Sequence, residues 1–216
     1  MIEVKKFTFN PVAVNAYLLW DETMEAVLID PACFYKDEED QLDRFVQAKG
    51  LKIVQILNTH GHFDHLMGNS FAGERWGLKV RIHWGDELML GQAKQHAVMF
   101  GIDMVNPTSR TELLTEGDLI TFGHSVLQVI HVPGHSPGSV AFYSERDQII
   151  VVGDILFEGS VGRTDLPGGN HQQLISGIKA KLLILDDKVK VYSGHGNDTT
   201  IGWEKISNMF LIEKRT

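Results

Sequence analysis

The amino-acid sequence predicts an α/β fold in which helices cover strands in layers. Two observations carry that expectation. Strand-like runs rich in β-branched residues, bounded by Gly, Asp or Pro, recur along most of the chain, and stretches of helical periodicity fall among them rather than in a block of their own. No Pro/Ser-rich linker, low-complexity tract or repeat interrupts the alternation, so a single domain over 1–216 is expected. A chain of 216 residues is long enough to bury a sizeable core.

Taken in order, strands are expected at 3–9, 16–20, 25–29, 53–58 and 79–83, and again at 119–122, 126–132, 140–143, 149–153 and 189–193. After the third run, Leu42, Phe45, Val46 and Lys49 repeat at helical spacing until Gly50 stops them. A later helix is expected where Leu174, Ile175, Ile178 and Leu182 share one face, with Asn170 as its N-cap. A third helix, with a poorly defined apolar face, is expected over 86–100 and closes at Gly101. By position alone, the segment 84–107 is a candidate lid. Tyr143, Trp84, Trp203 and the methionines read as core or pocket wall.

Composition narrows the function. A formal net charge of −8 with no basic block opposes the positive field that nucleic-acid binding needs. Cys33 is the sole cysteine, which excludes an internal disulfide and points to a reducing compartment. Residues 1–7 already read as a strand rather than a signal sequence, and no apolar run is long enough to cross a bilayer. Cytoplasmic residence, with neither membrane nor nucleic acid as partner, is the expectation.

The chemistry gathers in loops that follow strands. After the apolar run Ile53 to Asn58 comes Thr59-His60-Gly61-His62-Phe63-Asp64-His65. In a turning segment His60 and His62 can converge on one cation while Asp64 and His65 face the other way, and Gly61 lets the backbone turn between the first two. Imidazoles and a carboxylate at this density are how a protein holds Zn²⁺, Fe²⁺ or Mn²⁺ without thiolates. Three histidines and an aspartate within six residues are hard to assign to helix capping or chance.

Three further loops supply matching side chains. His135 stands in the Pro/Gly-stiffened turn Pro133-Gly134-His135-Ser136-Pro137, where its direction can be fixed before a metal arrives. Asp154 ends the apolar run Ile149 to Gly153, an awkward place for a carboxylate unless something positive sits beside it. His195 lies between Gly194 and Gly196, just past another strand. Asp30, ending Ala26 to Ile29 before Pro31, reads equally as a turn residue or as a carboxylate orienting a ligand. The remaining histidines, His83, His96, His124, His131 and His171, match no ligand position.

The ordered set His60-x-His62-x-Asp64-His65, His135, Asp154 and His195 resembles the metallo-β-lactamase superfamily over nearly the whole chain. That resemblance implies a four-layer αββα sandwich with metals at the edge between its two sheets. The stretch Gly153-Asp154-Ile155-Leu156-Phe157, with Ser160 to Gly169 and Gly194-His195-Gly196, is similar to the short bacterial hydrolases of the glyoxalase II (hydroxyacylglutathione hydrolase) branch. The branch implies two divalent ions, with zinc as the first choice and iron or manganese as alternatives. His60, His62 and His135 would hold one ion, Asp64, His65 and His195 the other, and Asp154 would bridge them. A water shared by the ions would attack a thioester such as S-lactoylglutathione, with Asp64 and Asp154 in the catalytic centre. The departing thiol, with a pKa of about 8.5, scarcely needs a general acid. Arg163 stands where that branch has a basic, substrate-contacting residue, and a planar guanidinium suits a carboxylate.

Departures from the branch keep other substrates open. The chain ends soon after Phe210, without the helical glutathione-binding domain of longer glyoxalase II enzymes, and Gly196-Asn197-Asp198 replaces their Glu-Tyr-Thr. Another acyl ester or a lactone is therefore an alternative. A mononuclear iron persulfide dioxygenase using His60, His135 and Asp154 is the rival outside hydrolysis. A β-lactamase fits less well, because dinuclear ones usually place Cys at the second metal, and here Asp154 occupies that point. A non-enzymatic metal-bound scaffold would be marked by an incomplete ligand set, which is not what this sequence has.

Overall fold

The computed structural model describes residues 1–212. The first sheet contains β1 (Glu3–Phe9), β2 (Val14–Trp20), β3 (Glu25–Ile29), β4 (Lys52–Leu57), β5 (Val80–His83) and β6 (Thr111–Leu114), ordered as numbered. Its first two pairings are antiparallel and the remaining three parallel. The second sheet uses β7 (Leu119–Phe122), β8 (Ser125–His131), β9 (Val140–Ser144), β10 (Ile149–Gly153), β13 (Lys190–Ser193) and β14 (Thr199–Thr200), in the order β14-β13-β10-β9-β8-β7. A small hairpin of β11 (Leu156–Phe157) and β12 (Ser160–Val161) follows β10.

The sheets stack because their strands are apolar on both faces. In β2, Tyr17 and Leu19 enter the core between the sheets, with Val27, Ile29, Phe122, Phe142 and Val151. Val14, Ala16, Leu18 and Trp20 point the other way, onto Leu42 and Val46 of α1 (Lys36–Lys49) and Ala72 of α3 (Asn69–Trp76). The second sheet repeats this with Ile150 and Val152 outward, against Leu174 of α6 (His171–Gly177), the π-helical turn Ile178–Leu182 and Ile201 of α7 (Ile201–Ser207). Period-two side-chain alternation thus yields helix, sheet, sheet, helix. This is the αββα layering that the resemblance implied.

The expected strands are all present, with ends displaced by at most two residues. Gly50 caps α1 in the left-handed region, at φ 66°. Asn170 caps α6, its side chain accepting from the Gln173 amide at 3.0 Å. The helix expected over 86–100 is a correction. A 3-10 turn Trp84–Asp86 and two short helices, α4 (Glu87–Leu90) and α5 (Ala93–Met99), replace it, with the break at Gly91-Gln92. A second correction concerns Trp84 and Trp203, expected in core or pocket wall. They stand 61% and 53% exposed, respectively, whereas Tyr143 is buried.

Candidate metal centre

The strands β3, β4, β8, β10 and β13 run in one direction and deliver their following loops to one edge of the sandwich. Asp30, the segment 58–62, His135, Asp154 and His195 leave those ends in turn. The Val140 amide donating to the Thr59 carbonyl, and the Asn15 amide donating to the Gly194 carbonyl, stitch the two sheets together there. Carboxyl ends of strands at such a junction are where α/β folds place ligands.

At this edge the seven expected ligands meet. His60 Nε2 lies 3.2 Å from His135 Nε2, which is 2.8 Å from His62 Nδ1. Beside this trio, His195 Nε2 lies 3.3 Å from Asp64 Oδ2, and His65 Nε2 is 3.8 Å from the same oxygen. Asp154 spans both groups, with Oδ1 3.4 Å from His65 Nε2 and Oδ2 3.7 and 3.5 Å from the Nε2 atoms of His135 and His195, respectively. Among the described residues, His60, His62 and His135 form one potential cation site and Asp64, His65 and His195 another, with His60, His65 and Asp154 also within ligating reach of one another. All lie at one cavity of about 640 Å³, except His60 and His65, which sit behind its wall.

The hydrogen-bond pattern tests whether this set suits a metal. His65 Nδ1 is 2.9 Å from Asp30 Oδ2, so it donates there and leaves Nε2 as a lone pair. His135 Nδ1 donates to the Arg163 carbonyl at 2.8 Å. His60 Nδ1 lies 3.0 Å from Thr59 Oγ1, whose own hydroxyl donates to Asp30 Oδ2 at 2.7 Å. Those partners assign the tautomers and turn the Nε2 lone pairs of His60 and His135 toward each other, an arrangement that a cation relieves. His62 Nε2, His65 Nε2 and Asp154 Oδ1 are buried without any hydrogen-bond partner. Buried polar atoms are rarely left unmatched, and two of these, His65 Nε2 and Asp154 Oδ1, face each other at 3.4 Å where an ion fits.

Charge in the cluster follows the same division. Burial, with the neighbouring imidazoles, pushes His60 well below the usual histidine range and His62 down to about 3, so both are neutral at pH 7, as ligation requires. Burial is the largest single influence and works to raise the Asp154 and Asp64 pKa values, but His65 and His195 together hold both below the ordinary carboxylate range. Burial opposes charge on His65, yet Asp154, Asp30 and Asp64 together push it well above its usual range. The carboxylates therefore favour positive charge at His65 Nε2, which a proton or a metal ion provides.

Supporting residues fix these ligands. Asp30, in the left-handed region at φ 50°, accepts from the Thr59 amide and hydroxyl as well as His65. This places it beneath the ligands rather than in an independent turn. Gly61 is needed for a different reason from the one expected. Its φ is not positive, but an added Cβ would lie 2.9 Å from the Cβ atoms of Asp86 and Met89. Gly194 likewise leaves room for the Asp154 carboxylate, which a Cβ would strike.

Three buried polar residues were invisible in the sequence. Asp86 accepts from the Gly61 and Gly138 amides and the Ser136 hydroxyl, tying the His60–His62 loop to the His135 loop. Asn10 and Asn58 donate side-chain amides to the carbonyls of Asp64 and His65. Each is an isolated polar residue outside any motif, so only the folded chain reveals its partners. Arg163 lines the cavity, but its guanidinium grips Asp165 through two bonds of 2.8 Å. The segment 84–107 contributes Met89, Gln95, His96, Met99 and Phe100 to the cavity wall. His96, given no role from the sequence, is thus beside the site.

The comparisons agree with this geometry. Hydroxyacylglutathione hydrolase GloC of Haemophilus influenzae is 33% identical over 205 residues, covering 93% of each chain. The solved structure of TTHA1623 in a di-iron-bound form superposes with a TM-score of 0.87 at 39% identity, covering 96% of this chain and all of the other. That of the BLEG-1 B3 metallo-beta-lactamase gives a TM-score of 0.88 at 34% identity, covering 98% of this chain and all of the other. The pattern of the metallo-beta-lactamase superfamily matches residues 9–195, and the chain belongs to that superfamily.

Proposed function

We propose that the protein is a metal-dependent hydrolase that cleaves a thioester or similarly activated acyl bond at a two-metal centre. The observation that carries this reading is Asp154, suspended between two groups of three candidate ligands at one cavity's edge. His60, His62 and His135 would hold one divalent ion, and Asp64, His65 and His195 the other. Such ions supply Lewis acidity, making a water nucleophilic near neutral pH and polarising a carbonyl. The chain's part is to keep His60 and His62 neutral, the carboxylates ionised and the ligand directions fixed through Asp30, Thr59 and the Arg163 carbonyl.

A thioester fits the protein's own proton-bearing groups. Outside the proposed ligands, those lining the cavity are Gln95, His96, Ser160 and Arg163. A thiol leaving group, with a pKa of about 8.5, departs without a donor, whereas an amine does not. The GloC relative, whose name states hydroxyacylglutathione hydrolysis, supports the same class. The donor set of nitrogen and oxygen suits zinc, our first choice, as well as iron or manganese. A mononuclear iron persulfide dioxygenase leaves the second group, Asp64, His65 and His195, without a use.

The test is a panel of thioesters and esters assayed with protein of measured metal content. Wild-type protein should bind two divalent ions per chain and turn over a thioester. His62→Ala and Asp154→Ala should each lower both metal content and turnover to near background while the far-ultraviolet dichroism is retained. Near-normal turnover in either variant removes the two-metal reading. A single iron with persulfide-driven oxygen uptake replaces it with the dioxygenase.

A further inference from the structure

The cavity that reaches the ligand cluster is walled largely by apolar side chains, and their arrangement bears on the substrate. One wall starts inside the ligand motif. Phe63, between His62 and Asp64, holds its ring 5.2 Å from that of Phe100, and Met99 lies next to it. Phe157, Val161 and Leu166 come from the hairpin and loop after Asp154. Met99 and Phe100 remain 74% and 45% exposed although they line a concave site. Apolar surface left open in a cavity of about 640 Å³, a volume typical of small-molecule sites, is surface that a ligand can cover.

The charges in the cavity give the complementary constraint. Among the described residues that line it, Arg163 alone carries a cationic side chain other than histidine, and Asp165 already neutralises it through two hydrogen bonds. The chain as a whole carries a net charge of −8. A substrate arm bearing two carboxylates, as a glutathionyl group does, therefore meets no uncommitted lysine or arginine among the described residues of the cavity. An apolar arm meets three phenylalanines, two methionines and aliphatic side chains in the cavity beside the ligand cluster.

Building on the hydrolase reading above, we infer that the substrate is a thioester or ester with an extended apolar arm beside the scissile carbonyl, and that the arm lies along Phe63, Met99 and Phe100. Burial of each added methylene against this wall stabilises the bound state and the transition state alike, so the effect is read in kcat/KM. Recognition comes from contact area rather than from ion pairing with the thiol portion.

Two substrate series on metal-loaded protein test this. In one, acetyl to octanoyl groups are carried on N-acetylcysteamine; in the other, acetyl is carried on thiols of increasing alkyl length. In at least one series, kcat/KM should rise about three- to four-fold per methylene until the cavity is filled. Moving one acyl group from N-acetylcysteamine to glutathione should change kcat/KM by less than about three-fold. Met99→Gln and Phe100→Gln should flatten the length dependence, and calorimetric binding of non-hydrolysable alkyl thioethers should show the same slope with a negative heat-capacity change. Flat dependence in both series, or a preference for glutathione above about ten-fold, overturns the inference and leaves hydrolysis standing. If no ester or thioester is turned over, the hydrolase reading fails, and the thioether slope alone decides whether the wall binds an apolar arm.

Discussion

Asp86 shows how a single buried carboxylate can govern the loops that carry His60, His62 and His135 without touching those side chains. It accepts from Gly61 between His60 and His62, and from Ser136 and Gly138 just beyond His135, while burial raises its pKa. Replacing it by Asn puts an amide donor among three donors, and replacing it by Ala leaves the two glycine amides unmatched in a buried site. Asp86→Ala should destabilise the fold by about 2–5 kcal/mol, and Asp86→Asn should weaken metal binding about 10- to 100-fold with little change in secondary structure. Urea denaturation and competitive metal titration measure the two effects. Unchanged metal affinity in the Asn variant would show that the loops hold their geometry without Asp86. The seven clustered side chains were legible because their chemistry is written locally, as four candidate metal-binding side chains within six residues and three more placed just after strands. Asp86 was not, since its three donors come from positions 61, 136 and 138 and meet only after the two loops fold together.

At the scale of elements, the same division separates α1 from the helices over the cavity. Helix α1 carries its signals in its own sequence, with acidic residues in the first turn, buried Leu42 and Val46, and Gly50 at its end. Helix α5 borrows its support. Gln92 at its N-cap makes no side-chain capping bond, and Asn106, from the far end of the segment, accepts from the Lys94 amide at 2.7 Å while donating to the Gly91 carbonyl at 2.7 Å. A cap delivered from outside the helix cannot be recognised by local spacing, which is why α4 and α5 read as one helix over 86–100. Also missed were α2 (Phe63–Leu66), α3, α7, β6, β11, β12 and β14, none longer than eight residues. Asn106→Ala should cost about 1 kcal/mol, the usual worth of an N-cap, and raise amide exchange selectively over 87–100. Exchange rising equally in α1 would mean that the segment unfolds only with the whole domain.

Across the whole molecule, the two sheets are joined beside the ligand loops by a pair of histidines that the sequence left without a role. His83 ends β5 of the first sheet and His131 ends β8 of the second, and their rings stack at 4.0 Å with an interplanar angle of 19°. His83 Nδ1 accepts from the Gly85 amide, and His131 Nε2 lies 2.9 Å from the carbonyl of Pro137, in the loop after His135. Burial and the neighbouring His131 hold His83 down to about 4, although Glu116 and Asp118 pull the other way. Because its folded pKa lies below the ordinary value of 6.5, the unfolded chain binds a proton in the intervening range that the folded chain does not. This contribution to stability is complete above pH 6.5 and is lost as pH falls toward 4, by on the order of 2 kcal/mol. Urea unfolding at fixed metal content should therefore show His83→Gln losing less stability than the wild type between pH 6.5 and 4. Parallel curves for the two proteins would place the acid sensitivity elsewhere, in the protonation of the ligand cluster itself.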